Sequence, residues 1–167
     1  GGGLGVGYKG ERVPGFEQYS KVILSHIRPT RLKLILEPGR SIVAGIGVLV
    51  TQVVRMKKST RKYFVIVDAG MTDLVRPALY NAYHEIMPVK KEKCSMIADI
   101  VGPVCETADY LGLNRKIPKL DAGDLLFITH CGAYGSSMAS TYNSRPLSPE
   151  ILVDQDRCVL IRKRGKL

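Results

Sequence analysis

The stretch Gly102-Pro103-Val104-Cys105-Glu106-Thr107-Ala108-Asp109 follows an apolar, strand-like run at residues 95–101. A Gly-Pro pair breaks regular structure and fixes a turn, so the sequence predicts a strand that ends here. The turn then places a thiol beside a carboxylate. A thiol can donate a proton or act as a nucleophile, and a carboxylate can hold a cation. Such a pair is more often incidental than catalytic, so its meaning depends on the rest of the chain.

Short β-strands are predicted on both sides of this turn. Residues 48–56 and 63–68 are rich in β-formers, and the basic turn at residues 57–62 joins them as a hairpin. Thr72 or Asp73 is predicted to cap a short helix that runs through Tyr80. Many short strands between Gly, Pro and Asp turns predict a β-barrel or β-sandwich. The other strand-like runs are residues 94–101, 124–129, 150–153 and 158–162.

The first part of the chain has a different pattern. Residues 16–27 carry apolar side chains at helical spacing, and Pro29 ends the predicted helix. Residues 32–36 form a nearly continuous apolar run, which is typical of a buried parallel strand. Glu37-Pro38-Gly39-Arg40 follows at its carboxyl end, where α/β barrels carry their active-site groups. These residues therefore predict one helix and one strand of such a barrel.

The pattern changes near residue 45, which we predict to be a domain boundary. The predicted class is α+β and mostly β: residues 1–45 would be the incomplete end of an α/β barrel, and residues 46–167 a C-terminal β-barrel or sandwich domain. The first residue is glycine and belongs to a motif, so we expect the chain to be the C-terminal part of a longer protein.

The amino-acid composition limits the kinds of binding partner that we expect for the chain. The 167 residues carry 25 Lys and Arg against 15 Asp and Glu, a net charge of +10. The cations occur in short groups without interleaved aromatic residues, so solvated turns are predicted rather than a nucleic-acid surface.

The four cysteines include no C-x-x-C pair, so neither a metal site nor a disulfide framework is predicted, and the expected compartment is the cytoplasm. The apolar run at residues 42–54 is too short and too interrupted to span a membrane.

Four ordered motifs carry a resemblance to one known family. They are Gly1-Gly2-Gly3-Leu4-Gly5, Glu37-Pro38-Gly39-Arg40, Asp-Ala-Gly-Met-Thr-Asp-Leu-Val-Arg-Pro at residues 68–77, and the stretch at residues 102–109. The segments at residues 132–135 and 137–140 extend the match. The chain resembles diaminopimelate decarboxylase, an enzyme that uses pyridoxal 5′-phosphate. The resemblance implies an alanine-racemase-type α/β barrel followed by a β domain, and a homodimer whose active sites are shared between subunits.

The resemblance also implies roles for individual residues around the cofactor. Gly1, Gly2 and Gly3 match the loop that holds the cofactor phosphate, and Glu37 matches the carboxylate at its ring nitrogen. Gly39 and Arg40 belong to the same cofactor motif, and Arg40 also faces the substrate. Tyr134 matches a tyrosine that touches both cofactor and substrate; without the resemblance, a buried core tyrosine would be the simpler interpretation.

The implied substrate is meso-2,6-diaminopimelate, which would be converted to L-lysine and carbon dioxide. Arg76 and Tyr80 match residues that bind the carboxylate remote from the reaction. Glu106 matches the residue that holds the remote ammonium, and Cys105 the proton donor to the α-carbon, supplied by the second subunit. Without the surrounding motif at residues 68–77, Arg76 would be interpreted as a helix-surface arginine. The three histidines lie outside the motifs and are interpreted as surface or core residues.

One expected residue has no counterpart in the chain. The lysine that binds the cofactor covalently lies early in the family's barrel, and no lysine here sits in that motif. The isolated chain is therefore expected to be inactive. Three alternatives remain: a non-catalytic, regulatory or degenerate homologue; a related ornithine, arginine or carboxynorspermidine decarboxylase; and, on charge alone, a basic nucleic-acid-binding module. An acid in place of Arg76 would favour the second, and strongly salt-dependent binding the third.

Overall fold

The structure is a computed structural model that describes residues 3–90, 93 and 95–166. The helices are α1 (Phe16–Ile27), α2 (Arg40–Val43) and α3 (Arg76–Tyr80), and short 3₁₀ turns lie at Arg28–Thr30, Ala44–Ile46, Ser136–Met138 and Tyr142–Ser144. The strands are β1 (Leu49–Lys58), β2 (Tyr63–Val67), β3 (Ile86–Pro88), β4 (Met96–Val101), β5 (Tyr110–Ile117), β6 (Leu125–Ile128), β7 (Glu150–Asp154) and β8 (Arg157–Arg162).

Six of these strands form one sheet in the order β3-β6-β1-β2-β4-β5. Neighbours are antiparallel except β2 and β4, which run parallel. The sheet curls until its two edges meet: a methyl group on Gly112 of β5 would lie 2.9 Å from the Ile86 side chain of β3. Strands β7 and β8 form a separate two-stranded sheet. The predicted mostly β, barrel-like class is confirmed.

The core fills the inside of this curled sheet. On β2, Val65 and Val67 are buried while the residues between and before them are not, as expected for a strand with one face inward. Leu74, from the loop after β2, and Leu126 and Ile128 of β6 pack into the same core and are fully buried. Burial of such side chains stabilises the fold by about 1.5–3 kcal/mol each.

The predicted hairpin is present. Strands β1 and β2 pair antiparallel from Val53 opposite Val67 to Lys58 opposite Tyr63, and the Ser59 N–H donates to the Lys62 carbonyl (2.8 Å) across the basic turn. Helix α1 has the predicted bounds. Its side chains are not buried, and Phe16 and Val22 are 62% and 58% exposed.

Two predictions about local structure are wrong. Residues 32–36 do not form a strand in the described chain, because no neighbouring segment pairs with them, and Leu32 and Ile35 are 69% and 73% exposed. Helix α3 begins at Arg76 after Val75, without a side-chain cap, rather than after Thr72 or Asp73. Pro77, early in the helix, favours this later start because its fixed φ suits a first turn.

Candidate functional site

One end of the six-stranded sheet collects the segments that carry the predicted site residues. Strands β2, β4 and β6 run in one direction and β1, β3 and β5 in the other. The loops that follow β2, β4 and β6 therefore emerge at the same end as the segment that enters β1. These segments carry Arg76, the pair Cys105 and Glu106, Tyr134 and Arg40, respectively.

The loop after β2 is fixed by its own aspartates. Asp68 Oδ1 accepts hydrogen bonds from Thr51 Oγ1 (2.6 Å) and from the Gln52 N–H (2.9 Å). Asp73 Oδ2 accepts from the Gly70 N–H (3.0 Å), and Asp73 Oδ1 accepts from Ser148 Oγ. The Asp73 carboxylate thus closes the turn before helix α3 instead of capping the helix. These hydrogen bonds hold the loop that leads into α3 and so help to position Arg76.

Asp109 joins the loop after β4 to the loop after β2. Its carboxylate accepts from the Met71 N–H at Oδ1 (2.6 Å) and from the Val104 N–H at Oδ2 (2.7 Å), and Asp109 is only 4% exposed. A methyl group on Gly70 would lie 2.6 Å from Oδ1 of Asp109, and one on Gly102 would lie within 2.4 Å of both oxygens. Both glycines are therefore required by close approach to the carboxylate. The turn that carries Cys105 is held against the loop that leads to Arg76.

The loop after β6 is joined to the segment before β1 by hydrogen bonds between backbone groups. The Cys131 N–H donates to the Gly47 carbonyl (2.8 Å), and the Gly132 N–H donates to the Ala44 carbonyl (3.1 Å). A methyl group on Gly132 would lie 1.9 Å from the Val43 carbonyl oxygen. Helix α2, which begins at Arg40, is therefore in backbone contact with the loop that presents Tyr134. Tyr134 has φ +69°, in the left-handed region that few non-glycine residues occupy.

Arg76 lies at the centre of an aromatic cluster at this end of the sheet. Its guanidinium carbon is 5.2 Å from the ring centre of Tyr8 and 5.5 Å from that of Tyr134, and Nη1 donates to the Tyr8 hydroxyl (3.0 Å). The Tyr8 ring also lies 5.1 Å from His84 and 5.4 Å from His130. Arg76 is thus a buried residue, 7% exposed, and not a helix-surface arginine.

The charge of Arg76 has no acidic partner in this cluster. None of the ion pairs among the described residues includes it, and its Nε is buried without a hydrogen-bond partner there. A buried guanidinium normally has a paired anion, because an unpaired buried charge is costly. The cluster therefore has the properties of a binding site for an anionic group.

Burial determines the protonation states of two residues near Arg76, which are His84 and Cys131. Desolvation lowers the pKa of His84, and the positive charge of Arg76 lowers it further, so the imidazole is held neutral. Burial raises the pKa of the Cys131 thiol to about 12. Cys131 therefore stays a thiol and is unsuited to nucleophilic or acid-base work near neutral pH.

The other sequence-predicted residues are exposed. Tyr80 is 62% exposed and Tyr134 45%, so Tyr134 is not a core tyrosine. Gly1 and Gly2 lie outside the described residues. Of the predicted set, the structure brings Arg76 and Tyr134 into contact. The remaining predicted residues are exposed at their positions in the chain: Gly3, Glu37, Gly39, Arg40, Cys105 and Glu106.

Sequence reasoning missed Tyr8, His84, His130 and Asp109 as members of this region. His130 carried a usable signal, because it follows a predicted strand and precedes the glycine motif that contains Tyr134. Asp109 is the last residue of the turn at residues 102–109, and this position could have marked it as a member of the site region. Tyr8 and His84 had no such signal, since their contacts with Arg76 depend on the folded chain.

Two findings apply to the described part of the chain, residues 3–90, 93 and 95–166. No helix there is long and apolar enough to cross a membrane. No group of three or more His, Cys, Asp or Glu side chains is arranged there to hold a metal ion.

Curated proteins similar to this chain are diaminopimelate decarboxylases. The one from Neisseria meningitidis serogroup B is 51% identical over 168 residues, and the one from Aquifex aeolicus is 48% identical over 166 residues. The matches cover 100% and 98% of this chain but only 40% of each relative. The chain therefore spans about 40% of the length of these relatives.

Solved structures of diaminopimelate decarboxylases are also similar to this chain. A crystal structure of diaminopimelate decarboxylase from Helicobacter pylori, complexed with L-lysine, superposes with a TM-score of 0.91 at 46% identity. The match covers 98% of this chain and 41% of that one. Residues 41–132, more than half of the chain, match the family described as "Pyridoxal-dependent decarboxylase, C-terminal sheet domain". The resemblance drawn from the sequence motifs is thereby confirmed, and the chain belongs to the pyridoxal-dependent decarboxylase family.

Proposed function

We propose that this chain is the C-terminal part of a diaminopimelate decarboxylase, which converts meso-2,6-diaminopimelate to L-lysine and carbon dioxide. The observation that carries this proposal is the buried, unpaired guanidinium of Arg76. Diaminopimelate presents a carboxylate at the end remote from the reaction, whereas ornithine and arginine present a cation there. A planar guanidinium can bind a carboxylate through two parallel hydrogen bonds, and it would repel a cation.

The proposed division of the chain places the cofactor in its first part. Residues 1–45 would be the end of the cofactor-binding barrel and residues 46–167 the C-terminal sheet domain; the family match that starts at residue 41 supports this boundary. The residues present fit pyridoxal 5′-phosphate. Glu37 is an exposed residue, and its carboxylate would hold the protonated ring nitrogen. A methyl group on Gly3 or Gly39 would meet no atom within 4 Å, so the backbone there is open to a phosphate.

When bound, the cofactor accepts the electron pair that is left as carbon dioxide departs. The chain's own residues bind and orient the substrate. Arg76 and Tyr80 would bind the remote carboxylate, Glu106 the remote ammonium, and Arg40 and Tyr134 the part of the substrate next to the cofactor. The contact between Arg76 and the Tyr134 ring supports a shared site for these two residues.

Cys105 would supply the proton that replaces the lost carboxylate. Its Sγ–H would donate to the α-carbon, which leaves a thiolate that is reprotonated from solvent. Cys105 is exposed, as a donor that acts in the active site of a second subunit must be. We therefore propose a homodimer with shared active sites, in the cytoplasm.

The test is a substrate comparison with the full-length protein that contains this chain, loaded with pyridoxal phosphate. We expect L-lysine and carbon dioxide from meso-diaminopimelate. Ornithine, arginine and carboxynorspermidine should react about 10⁴-fold less efficiently, because each lacks the group that Arg76 must bind. A preference for one of these three would assign the chain to a related decarboxylase. Cofactor binding without turnover of any substrate would indicate a non-catalytic homologue.

A further inference from the structure

His84 is a buried side chain that the proposed reaction does not use. It is 0% exposed and lies between a backbone carbonyl and the candidate substrate arginine. Its Nδ1 is 2.9 Å from the Thr129 carbonyl oxygen, and its Nε2 is 3.2 Å from Arg76 Nη1. The Tyr8 ring covers the imidazole edge-on. Each ring nitrogen therefore has one defined partner.

The chemistry of these partners fixes the tautomer. A carbonyl oxygen can only accept, so Nδ1 must carry the hydrogen. A guanidinium can only donate, so Nε2 must present its lone pair. The imidazole is thus neutral and protonated at Nδ1. A protonated imidazole could not accept from Arg76 and would place a second positive charge beside it.

The surroundings favour the neutral form. The charged and titratable groups that act on His84 are Arg76, His130 and Arg115, and all three disfavour a positive imidazole. Tyr8 contributes a ring and a hydroxyl, and Cys131 is held as a thiol by burial. Glu85, the next residue in the chain, is exposed.

We propose that His84 is a positioning residue that orients the Arg76 guanidinium for the substrate's remote carboxylate. The proposal rests on the proposed function. Thr129 fixes the ring through Nδ1, and Nε2 then holds Nη1 of Arg76. Tyr8 accepts from the same Nη1, which leaves Nε and Nη2 to face an anion. Without the acceptor on His84, the guanidinium of Arg76 would lose the contact that sets the direction in which Nη1 points.

Two amide substitutions separate the two ring contacts, because each places polar atoms near only one of the ring nitrogens. The amide of asparagine at position 84 lies near the place of Nδ1, and the amide of glutamine lies near the place of Nε2. His84→Asn can therefore keep the bond to Thr129 but loses the acceptor for Arg76, whereas His84→Gln can keep that acceptor. Both replacements are polar and smaller than histidine, so each is the control for the other.

The probes are L-lysine and cadaverine, with binding to the cofactor-loaded, full-length protein measured by calorimetry. L-lysine keeps the remote carboxylate and cadaverine has none. We expect His84→Asn to weaken L-lysine binding about 10-fold, the cost of one charge-assisted hydrogen bond, and to leave cadaverine binding within about twofold. His84→Gln should leave both ligands within about threefold of the parent. An equal loss for both ligands in His84→Asn would show a merely structural role and overturn the proposal.

A second measurement uses the parent protein and needs no activity. The ¹⁵N chemical shifts of the His84 imidazole should show a neutral ring protonated at Nδ1. A ring protonated at Nε2, or at both nitrogens at neutral pH, would overturn the proposal even if neither variant folds. Turnover of diaminopimelate by the parent with no lysine-specific effect in His84→Asn would reject the role of His84 and keep the proposed function. A parent without that turnover would reject both.

Discussion

At the scale of single residues, two cysteines near the candidate site have opposite environments. Cys131 is buried, and its thiol donates to the Ile128 and Thr129 carbonyls (3.3 and 3.5 Å). Its raised pKa keeps it protonated. Cys105 is exposed at the tip of the turn between Val104, which is buried, and Asp109, which is also buried. Of these two thiols, only that of Cys105 is accessible to a substrate, which supports its proposed role as the proton donor.

We predict that Cys105→Ala in the full-length protein binds pyridoxal phosphate as the parent does but loses turnover. The thiol acts after the carboxylate has left, so the cofactor spectrum should persist while kcat for diaminopimelate falls by about 10²-fold or more. Cys158→Ala is the matched control, because Cys158 is also exposed and lies on β8. Activity of Cys105→Ala within a few-fold of the parent would exclude the donor role.

Sequence motifs were sufficient to select Cys105, Glu106, Arg76 and Tyr134 as candidate residues. They could not predict the surroundings of Arg76. Tyr8 lies 68 positions before Arg76 in the chain and meets it only in the fold. The burial of the Arg76 charge was also not predictable, because an arginine near the start of a helix is usually solvated.

At the scale of secondary-structure elements, the site depends on two junctions between loops. The first is made by Asp109, whose two oxygens accept from backbone N–H groups of different loops. The second is made by Gly132, which packs its backbone on residues 43–47. Each junction can be tested by one small substitution.

For the first junction, we predict that Asp109→Asn destabilises the full-length protein by about 1–3 kcal/mol, because one of the two N–H donors then faces an NH₂ group. Chemical unfolding measures the loss. Asp156→Asn is the control, since Asp156 lies in the exposed turn between β7 and β8 and should change stability little. The same stability for both variants would mean that Asp109 does not hold the loops together.

For the second junction, Gly132→Ala places a methyl group 1.9 Å from the Val43 carbonyl oxygen and 2.9 Å from the Gly47 nitrogen. Both are backbone atoms, so the segments must separate, and we expect a loss of about 1–3 kcal/mol in unfolding free energy. Gly45→Ala is the control, because a methyl group there meets no atom within 4 Å. A Gly132→Ala protein as stable as the Gly45→Ala protein would contradict the close packing.

The strands show where sequence patterns are informative. The hairpin of β1 and β2 was predictable, because alternating apolar residues flank a basic turn. Strands β3 and β5 were missed. Strand β3 has three residues and ends in Pro88, and β5 contains Gly112 and polar residues and pairs irregularly with β4. At residues 32–36 the apolar run suggested a strand, but a strand also needs a neighbour to pair with, which composition does not reveal.

At the scale of the whole molecule, several apolar surfaces are exposed. Strands β7 and β8 form a separate two-stranded sheet in which Ile151, Val153 and Ile161 are each at least 58% exposed. A two-stranded sheet alone is marginally stable in water. Helix α1 also exposes apolar side chains, among them Phe16 and Val22. These surfaces are consistent with the proposal that the chain works within a larger, dimeric protein.

The proposal that active sites are shared between subunits leads to a prediction about mixed dimers. Glu37→Gln should impair the cofactor site of its own subunit, and Cys105→Ala should impair the site of the partner. If the two inactive full-length proteins are unfolded together and refolded, half of the dimers are mixed, and each mixed dimer keeps one of its two sites intact. We expect the lysine-forming activity to return to about a quarter of the parental value. No recovery, with dimers verified by mass, would place Cys105 in its own subunit's site.

The role of Arg76 is tested most directly by comparing two substrates in the parent and in Arg76→Gln. The substrates are meso-diaminopimelate and an analogue that lacks the remote carboxylate, and the measured quantity is kcat/KM. Loss of the charged pair should cost diaminopimelate about 2–5 kcal/mol in transition-state binding, while the slow reaction of the analogue should change little. An equal fall for both substrates would make Arg76 a structural or cofactor residue and would contradict the assignment of diaminopimelate as the substrate.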